Sequence, residues 1–253
     1  MQNPVNSAQY VEPGTKLHSF IGWTVLAIFG PLFILATLLM TWGLALIAWI
    51  IAGALYSSNI RKARARLRGS AVRVDAGQFP EIYEATRSLA ERLGLRECPD
   101  IYVVEDNQQN AFAFKQGSRQ CVVLVDDVVF GLMATGNVRA LHFIIAHELA
   151  HHALGHTGYL RSLITKSYTP LSRLDELSCD AVAHALVGDA EAARDALTLL
   201  LIGPQLFQRI DRRALEFQAQ EVLADKFTKK SEARLSHPLL LRRYARLQQM
   251  RTA

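Results

Sequence analysis

The longest apolar segment of the chain runs from Phe20 to Tyr56 and contains no Asp, Glu, Lys, Arg or His. A single helix over its 37 residues would be about 55 Å long, whereas the hydrocarbon core of a bilayer is about 30 Å thick. The segment therefore predicts a membrane hairpin, with helices over roughly 19–40 and 44–60 joined by a turn at 41–43. One alternative is a single tilted helix kinked at Pro31, because proline removes a backbone hydrogen bond. A cleaved signal peptide is disfavoured, since its apolar region has only about 7 to 15 residues.

Short elements follow the apolar segment. Residues 79–94 place apolar side chains at helical spacing and end at Gly94, a typical C-terminal cap. The runs 101–104 and 121–125 are short and rich in β-branched residues, which is typical of strands. We therefore expect two strands flanking a third extended segment within 107–117.

The second half of the chain has mostly helical patterns. They predict a long helix near 137–156 and another at about 171–187, while the apolar run 197–202 is too short to span a membrane and suits a core. The expected fold class is α+β. It consists of an N-terminal transmembrane anchor over 1–60 and a mostly helical domain with a small β-sheet over 61–253.

Positive charge is concentrated directly after the apolar segment. The other flank offers only Lys16, and cytoplasmic loops collect Lys and Arg, so we expect the C-terminal side to be cytoplasmic. A solvated basic helix face is the alternative, and nucleic-acid binding is disfavoured by the position beside lipid. The basic residues are Arg61, Lys62, Arg64, Arg66, Arg68 and Arg73.

Composition indicates the class of protein and the redox state of its cellular compartment. Half of the residues are apolar, which excludes a disordered chain, and three cysteines are too few for a disulfide scaffold. Cys98, Cys121 and Cys179 are odd in number and show no Cys-x-x-Cys spacing. They favour a reducing compartment.

Five of the eight histidines lie between residues 142 and 156, and two of them frame the motif His147-Glu148-Leu-Ala-His151. Residues four apart on a helix face the same side, so His147 and His151 can present imidazole nitrogens to one ion. Glu148 points to one side of that pair. This placement suits a carboxylate that takes a proton from water rather than binding the ion, as in catalytic zinc sites.

A catalytic zinc needs a third protein ligand and one open position. Glu176 and Asp180 are again four residues apart on a predicted helix. Glu176 can complete the ligand set, while Asp180 can accept the outer N–H of a ligand histidine. An exposed acidic helix face is the alternative for this pair.

The remaining histidines are interpreted as structural. His142, His152 and His156 lie on other faces than His147 if the helix stays regular to its end, so we expect packing or supporting roles. His184 is expected to be structural, and Cys179 to be a small buried residue.

Four sequence blocks together resemble the HtpX family of gluzincin-type membrane zinc endopeptidases, which also contains the CAAX prenyl proteases. The resemblance extends from about residue 70 to the end and includes the preceding anchor. The blocks are Asn110-Ala-Phe-Ala113, the helix 144–156, Glu176-Leu-Ser-Cys-Asp180, and Ser236-His237-Pro238 followed by Arg243.

The resemblance implies one Zn²⁺ per chain, bound by His147, His151 and Glu176, with Glu148 as the catalytic base. It further implies that His237 stabilises the oxyanion and that Arg243 supports that end of the site. Asn110, Ala111, Phe112 and Ala113 would form an edge strand to which protein or peptide substrates add as an extended strand.

The resemblance also implies a location and a task. We expect a membrane-anchored endopeptidase in a cell membrane, most naturally the bacterial inner membrane, with a cytoplasmic catalytic domain that acts on damaged membrane proteins. Residues 20–56 would contact the bilayer, and no nucleic-acid partner is expected.

HtpX itself is expected to carry further membrane segments between the two ligand helices, but here only 24 residues separate His151 from Glu176, and several are charged. The alternative function is a non-proteolytic membrane adaptor that contains zinc.

Overall fold

The apolar segment forms two long helices in a computed structural model that describes residues 4–106 and 110–250. After a short 3₁₀ helix at Ser7–Tyr10, α1 spans Thr15–Met40 and α2 spans Leu44–Ser70. Both are long and apolar enough to cross a membrane. The turn between them contains Gly43 in the left-handed region, at φ 87°, and Pro31 lies inside α1 without ending it. The two predicted helices and the turn between them are thus confirmed over the single kinked helix, while their passage across a membrane stays a prediction.

The second helix is longer than predicted. It continues past residue 60 through the basic run to Ser70, because Ala, Arg and Lys are good helix formers and nothing in the run stops a helix. The predicted end near 60 is therefore wrong by about ten residues. The boundary between anchor and domain at 60 and 61 falls within this helix and stays a prediction.

The N-terminal part of α1 and the residues just before it contact the rest of the protein. The backbone N–H of Glu12 donates to Ser178 Oγ at 3.0 Å, and His18 Nδ1 lies 2.6 Å from the Tyr168 hydroxyl. Gly22 approaches Ile164 so closely that an added Cβ would lie 2.5 Å from its Cγ2 atom. Helix α1 is therefore fixed against the domain by specific contacts and is not joined to it by a flexible linker alone.

A four-stranded mixed sheet covers one side of the domain. Helix α3 spans Pro80–Arg92 and is followed by Gly94 at φ 68°, as its sequence pattern predicted. The strand order is β1-β2-β4-β3, with β2 and β4 parallel and the other two pairs antiparallel. Strand β3 therefore lies at an edge of the sheet. The strands are β1 Val72–Arg73, β2 Asp100–Val104, β3 Ala111–Gln116 and β4 Arg119–Val125.

The predicted strands and the extended segment between them are confirmed, although residues 107–109 of that segment lie outside the described residues. The remaining chain is helical. Its elements are α4 Asp126–Ala134, α5 Val138–Ala153, α6 Tyr159–Ser167, α7 Thr169–Val187, α8 Ala190–Ile202, α9 Pro204–Phe207, α10 Arg212–Ala224, α11 Lys226–Ser231, a 3₁₀ turn Glu232–Arg234 and α12 Leu240–Gln249.

Helix α5 is the centre of the core, with α3, α4, α7, α8 and the sheet packed around it. Most of its residues are buried, including the polar His147 and Glu148. The helix starts where the Asn137 side chain accepts the N–H of Ala140, a typical N-cap. Leu197 and Leu199 of α8 are buried beside it, whereas Leu201 is exposed, so the run 197–202 belongs to the core only in part.

Helix α5 ends earlier than its sequence pattern predicted. It stops at Ala153 rather than at 156, and Gly155 then adopts φ 75°, a left-handed conformation that glycine tolerates best. The chain after the helix therefore turns back instead of continuing along the axis.

Candidate metal centre

Helix α5 presents His147 and His151 on one face, one turn apart. Their ring centroids are 5.1 Å from each other. His147 is buried and His151 is half-buried, and most residues of their helix are buried, so packing restricts the positions of both rings. The spacing of the motif thus has the structural effect that the sequence predicted.

Helix α7 brings Glu176 to the two imidazoles. Its Oε2 atom lies 3.4 Å from His147 Nε2, and its Oε1 atom lies 3.4 Å from His151 Nε2. Ligand atoms that are each about 2.0–2.1 Å from a tetrahedral ion lie roughly 3.3–3.4 Å apart. The donor set and its spacing therefore fit a divalent metal such as zinc, which is the group that the sequence implies.

The outer nitrogen of His147 is also occupied. Its Nδ1 atom lies 3.0 Å from Asp180 Oδ1, where it can donate a hydrogen bond to the carboxylate. Arg243 of α12 donates to both oxygens of Asp180, through Nε at 2.8 Å and Nη2 at 2.7 Å. Asp180 thus orients His147, and Arg243 in turn fixes Asp180.

The buried charges of the centre compensate one another. Burial alone would raise the pKa of Glu176, but hydrogen bonding with His147 and His151 holds it well below its usual range. Burial alone would lower the pKa of His147, but its bonds with Asp180 and Glu176 raise it to about 10. His147 would have to lose this proton to hold a metal ion, since metals bind neutral imidazole.

His156 has a different place from the one that a regular helix predicts. Because α5 ends at Ala153, the chain turns back, and His156 Nδ1 lies 3.2 Å from His151 Nδ1. Burial lowers the pKa of His156 to about 2, which keeps this ring neutral. The expectation of a regular helix to residue 156 is therefore wrong. The supporting role expected of His156 stays a prediction.

The other residues interpreted as structural are not among the three candidate ligands, although Cys179 Sγ lies 3.6 Å from His156 Nδ1. His152 is buried and bonds to the Cys121 carbonyl oxygen at 3.0 Å and to Thr157 Oγ1 at 3.1 Å. His142 and His184 are half-buried. Cys179 is completely buried, and burial raises the pKa of its thiol well above the usual range.

A cavity of about 180 Å³ opens beside the three candidate ligands. Glu148 lines it, and burial raises the pKa of this carboxyl group, although His147 and His151 oppose the shift. His237 stands at the cavity with Nε2 3.3 Å from Glu176 Oε1 and is largely exposed. The lining residues are Asn110, Ala111, Phe112, Ala113, Phe143, Ile144, His147, Glu148, His151, Glu176, Leu197, Leu200, His237 and Arg243.

The residues to which the resemblance assigns roles in the site all line this one cavity, and Asp180 lies behind it, bonded to His147. The edge strand β3 forms one wall, and within the described residues no strand pairs with its outer side. Sequence reasoning missed the contact between His151 and His156. The signal that points to it is Gly155, which ends the helix before His156.

Comparison with known proteins gives this geometry a family context. Residues 76–165 match the model of peptidase family M48. Over 158 residues the chain is 30% identical to proteins named "Protease HtpX homolog" from Burkholderia mallei (strain SAVP1) and Burkholderia pseudomallei (strain K96243). The comparisons confirm the resemblance.

The similarity to HtpX-type M48 peptidases covers part of the chain. The alignment includes 59% of this chain and 52% of each relative, so the chain spans about half the length of the curated relatives it matches. The family match contains His147, Glu148 and His151, while Glu176 lies beyond it. Among solved structures, none matches the chain significantly.

Metal removal tests the proposed ligand set. We expect a chelator to lower the thermal unfolding midpoint of the purified protein, because a ligand at one hundred times its Kd stabilises the folded state by about 2.7 kcal/mol. Glu176→Gln should shrink this shift by removing the carboxylate ligand. The exposed Glu221 on α10 offers a matched control, since Glu221→Gln should retain the full shift. An equal shift in both variants would contradict the role of Glu176.

Proposed function

We propose that this protein is a membrane-anchored zinc endopeptidase that cleaves protein substrates on the cytoplasmic side of a cell membrane. One observation carries the proposal. Two imidazoles and one carboxylate converge at the spacing of metal ligands, and Glu148 lines the same cavity next to an edge strand.

The donor set favours zinc and a catalytic rather than a structural site. Catalytic zinc sites use three protein ligands and leave a position for water or substrate, whereas structural sites close all four positions with His or Cys. Here His147, His151 and Glu176 face an open cavity. Zinc bound there would act as a Lewis acid that activates water and polarises the scissile carbonyl group.

Glu148 is the proposed general base. It follows a ligand in sequence, so it lies close to the centre while its side chain lines the cavity. A carboxylate whose pKa is raised by burial accepts a proton from water more readily than an exposed one. In this proposal Glu148 takes the proton of the attacking water and delivers it to the leaving amine.

His237 and Arg243 have separate proposed roles. His237 is exposed at the cavity, where a ring N–H can donate to the oxyanion that forms during peptide hydrolysis. Arg243 is buried and bonds to Asp180, so it is a positioning residue that acts through His147.

Strand β3 is the proposed docking edge for the substrate. An extended peptide can pair with its outer side through main-chain hydrogen bonds. The small side chains of Ala111 and Ala113 line the cavity and leave space for a peptide next to the metal ligands. Pairing through main-chain atoms would place little demand on the sequence of the substrate.

The membrane helices suggest the substrate class and the orientation. Exposed Arg61, Lys62, Arg66 and Arg68 continue α2 beyond its apolar part, and such residues collect on the cytoplasmic side. Helix α1 contacts the domain at Ile164 and Arg161, so a membrane that contains α1 would lie beside the domain. We therefore propose membrane proteins, including damaged ones, as substrates.

Glu148→Gln is the direct test of the chemistry. We expect this variant to bind one zinc per chain but to cleave unfolded membrane proteins at least about 10²-fold more slowly, since a positioned general base contributes roughly 10²- to 10⁴-fold. Cleavage is followed by gel electrophoresis of the purified protein with its substrate, with and without a chelator.

Glu221→Gln is the matched control for this experiment and should cleave like the parent protein. Retained cleavage in Glu148→Gln would refute the assignment of the base. Zinc binding without any cleavage by the parent protein would favour the non-proteolytic adaptor instead.

Cys98 provides a test of orientation. Of the three cysteines, all within the described residues, only Cys98 is exposed. In intact cells a membrane-impermeant maleimide should leave the protein unlabelled, and permeabilised cells should show full labelling. Cys98→Ser should abolish the signal. Labelling of intact cells would place the domain on the opposite side of the membrane.

A further inference from the structure

The two candidate ligand histidines have different partners on their outer ring nitrogens. His147 has the carboxylate of Asp180, whereas the Nδ1 atom of His151 faces Nδ1 of His156 at 3.2 Å. A metal-ligating histidine almost always donates its outer N–H to an acceptor, which fixes its tautomer and ring orientation. His156 therefore occupies the place of that acceptor for His151.

One arrangement of protons satisfies this pair. If His151 binds the metal through Nε2, the atom that faces Glu176, its Nδ1 carries the hydrogen. Two nitrogens at 3.2 Å share a hydrogen bond only if one of them is bare, so Nδ1 of His156 is the acceptor. The hydrogen of His156 is then on Nε2, which lies 3.4 Å from Asp175 Oδ1.

Asp175 is itself held in place. Arg161 reaches its two oxygens through Nη2 at 2.5 Å and Nε at 3.3 Å. The third nitrogen of Arg161 donates to Ser19 Oγ of α1 at 2.8 Å. Asp175 is buried and the side chain of His156 is only 9% exposed, so water competes little for these contacts. A continuous polar chain thus extends from the candidate metal centre to the membrane anchor.

We propose that His156 is a positioning residue that orients His151 for metal binding and is steadied by Asp175 and Arg161. The inference rests on the proposed metal site. It assigns to a histidine the task that Asp180 performs for the other ligand.

Cys179 provides the competing explanation. Its Sγ atom lies 3.6 Å from His156 Nδ1, and with His151 these residues form a second group that could hold an ion. Binding there would require His151 to lose its Nδ1 hydrogen while it also binds the first ion, and a completely buried thiol to ionise. The hydrogen-bonded arrangement requires neither change.

Three substitutions of His156 separate positioning from packing. The Oδ1 atom of Asn can replace Nδ1 as the acceptor, the amide of Gln reaches only the position of Nε2, and Leu fills the space without an acceptor. We expect His156→Leu and His156→Gln to bind zinc about 10- to 100-fold more weakly than the parent, and His156→Asn to recover most of the affinity.

The readouts are zinc affinity, by competition with a chelating dye, and the visible spectrum of the Co²⁺-substituted protein. His152→Leu is the matched control, because His152 is also buried but bonds to the Cys121 carbonyl oxygen. It should lower thermal stability without changing zinc affinity. If His156→Leu does not fold, the comparison of Gln with Asn gives the same test.

The outcomes decide the inference separately from the proposed function. Parent-like affinity in His156→Leu or His156→Gln, or an Asn variant as weak as both, would overturn the positioning role while leaving cleavage by the parent intact. A second equivalent of zinc that is lost in Cys179→Ala would overturn it in favour of a second metal site. A parent protein that binds no metal would refute both.

Discussion

The site depends on a buried carboxylate. Glu176 is 5% exposed and lies between two imidazoles in the interior, where an isolated negative charge is strongly unfavourable. Its charge is compensated by His147, by Arg243 at 3.5 Å, and by a cation when one is bound. This requirement fixes the positions of α5, α7 and α12 relative to one another, because His147, Glu176 and Arg243 come from these three helices.

Two chains of polar contacts orient the histidines of this centre. One chain leads from His147 through Asp180 to Arg243, and another leads from His151 through His156 to Asp175. The first ends in the C-terminal helix and the second reaches α1 through Arg161. Polar contacts therefore connect α1 to the candidate ligand His151. A shift of α1 would act on the orientation of that histidine through these contacts.

Sequence periodicity predicted the parts of the site that helices determine. The spacing puts His147 and His151 on one face of α5, and Glu176 and Asp180 on one face of α7. The packing of α7 against α5 brings the two pairs together, and spacing alone does not determine that packing. The contact of His156 escaped prediction because it depends on where α5 ends, and helix boundaries are decided by a single glycine conformation after Ala153. The length of α2 was missed for a similar reason, since charge alone does not end a helix.

X-ray absorption at the zinc edge of the purified full chain tests the central claim most directly. Coordination by His147, His151 and Glu176 should give nitrogen and oxygen neighbours at about 2.0–2.2 Å, with outer scattering from two imidazole rings and no sulfur. A sulfur neighbour at about 2.3 Å would place Cys179 in the coordination sphere. Either that result or a spectrum without imidazole scattering would contradict the three-ligand centre.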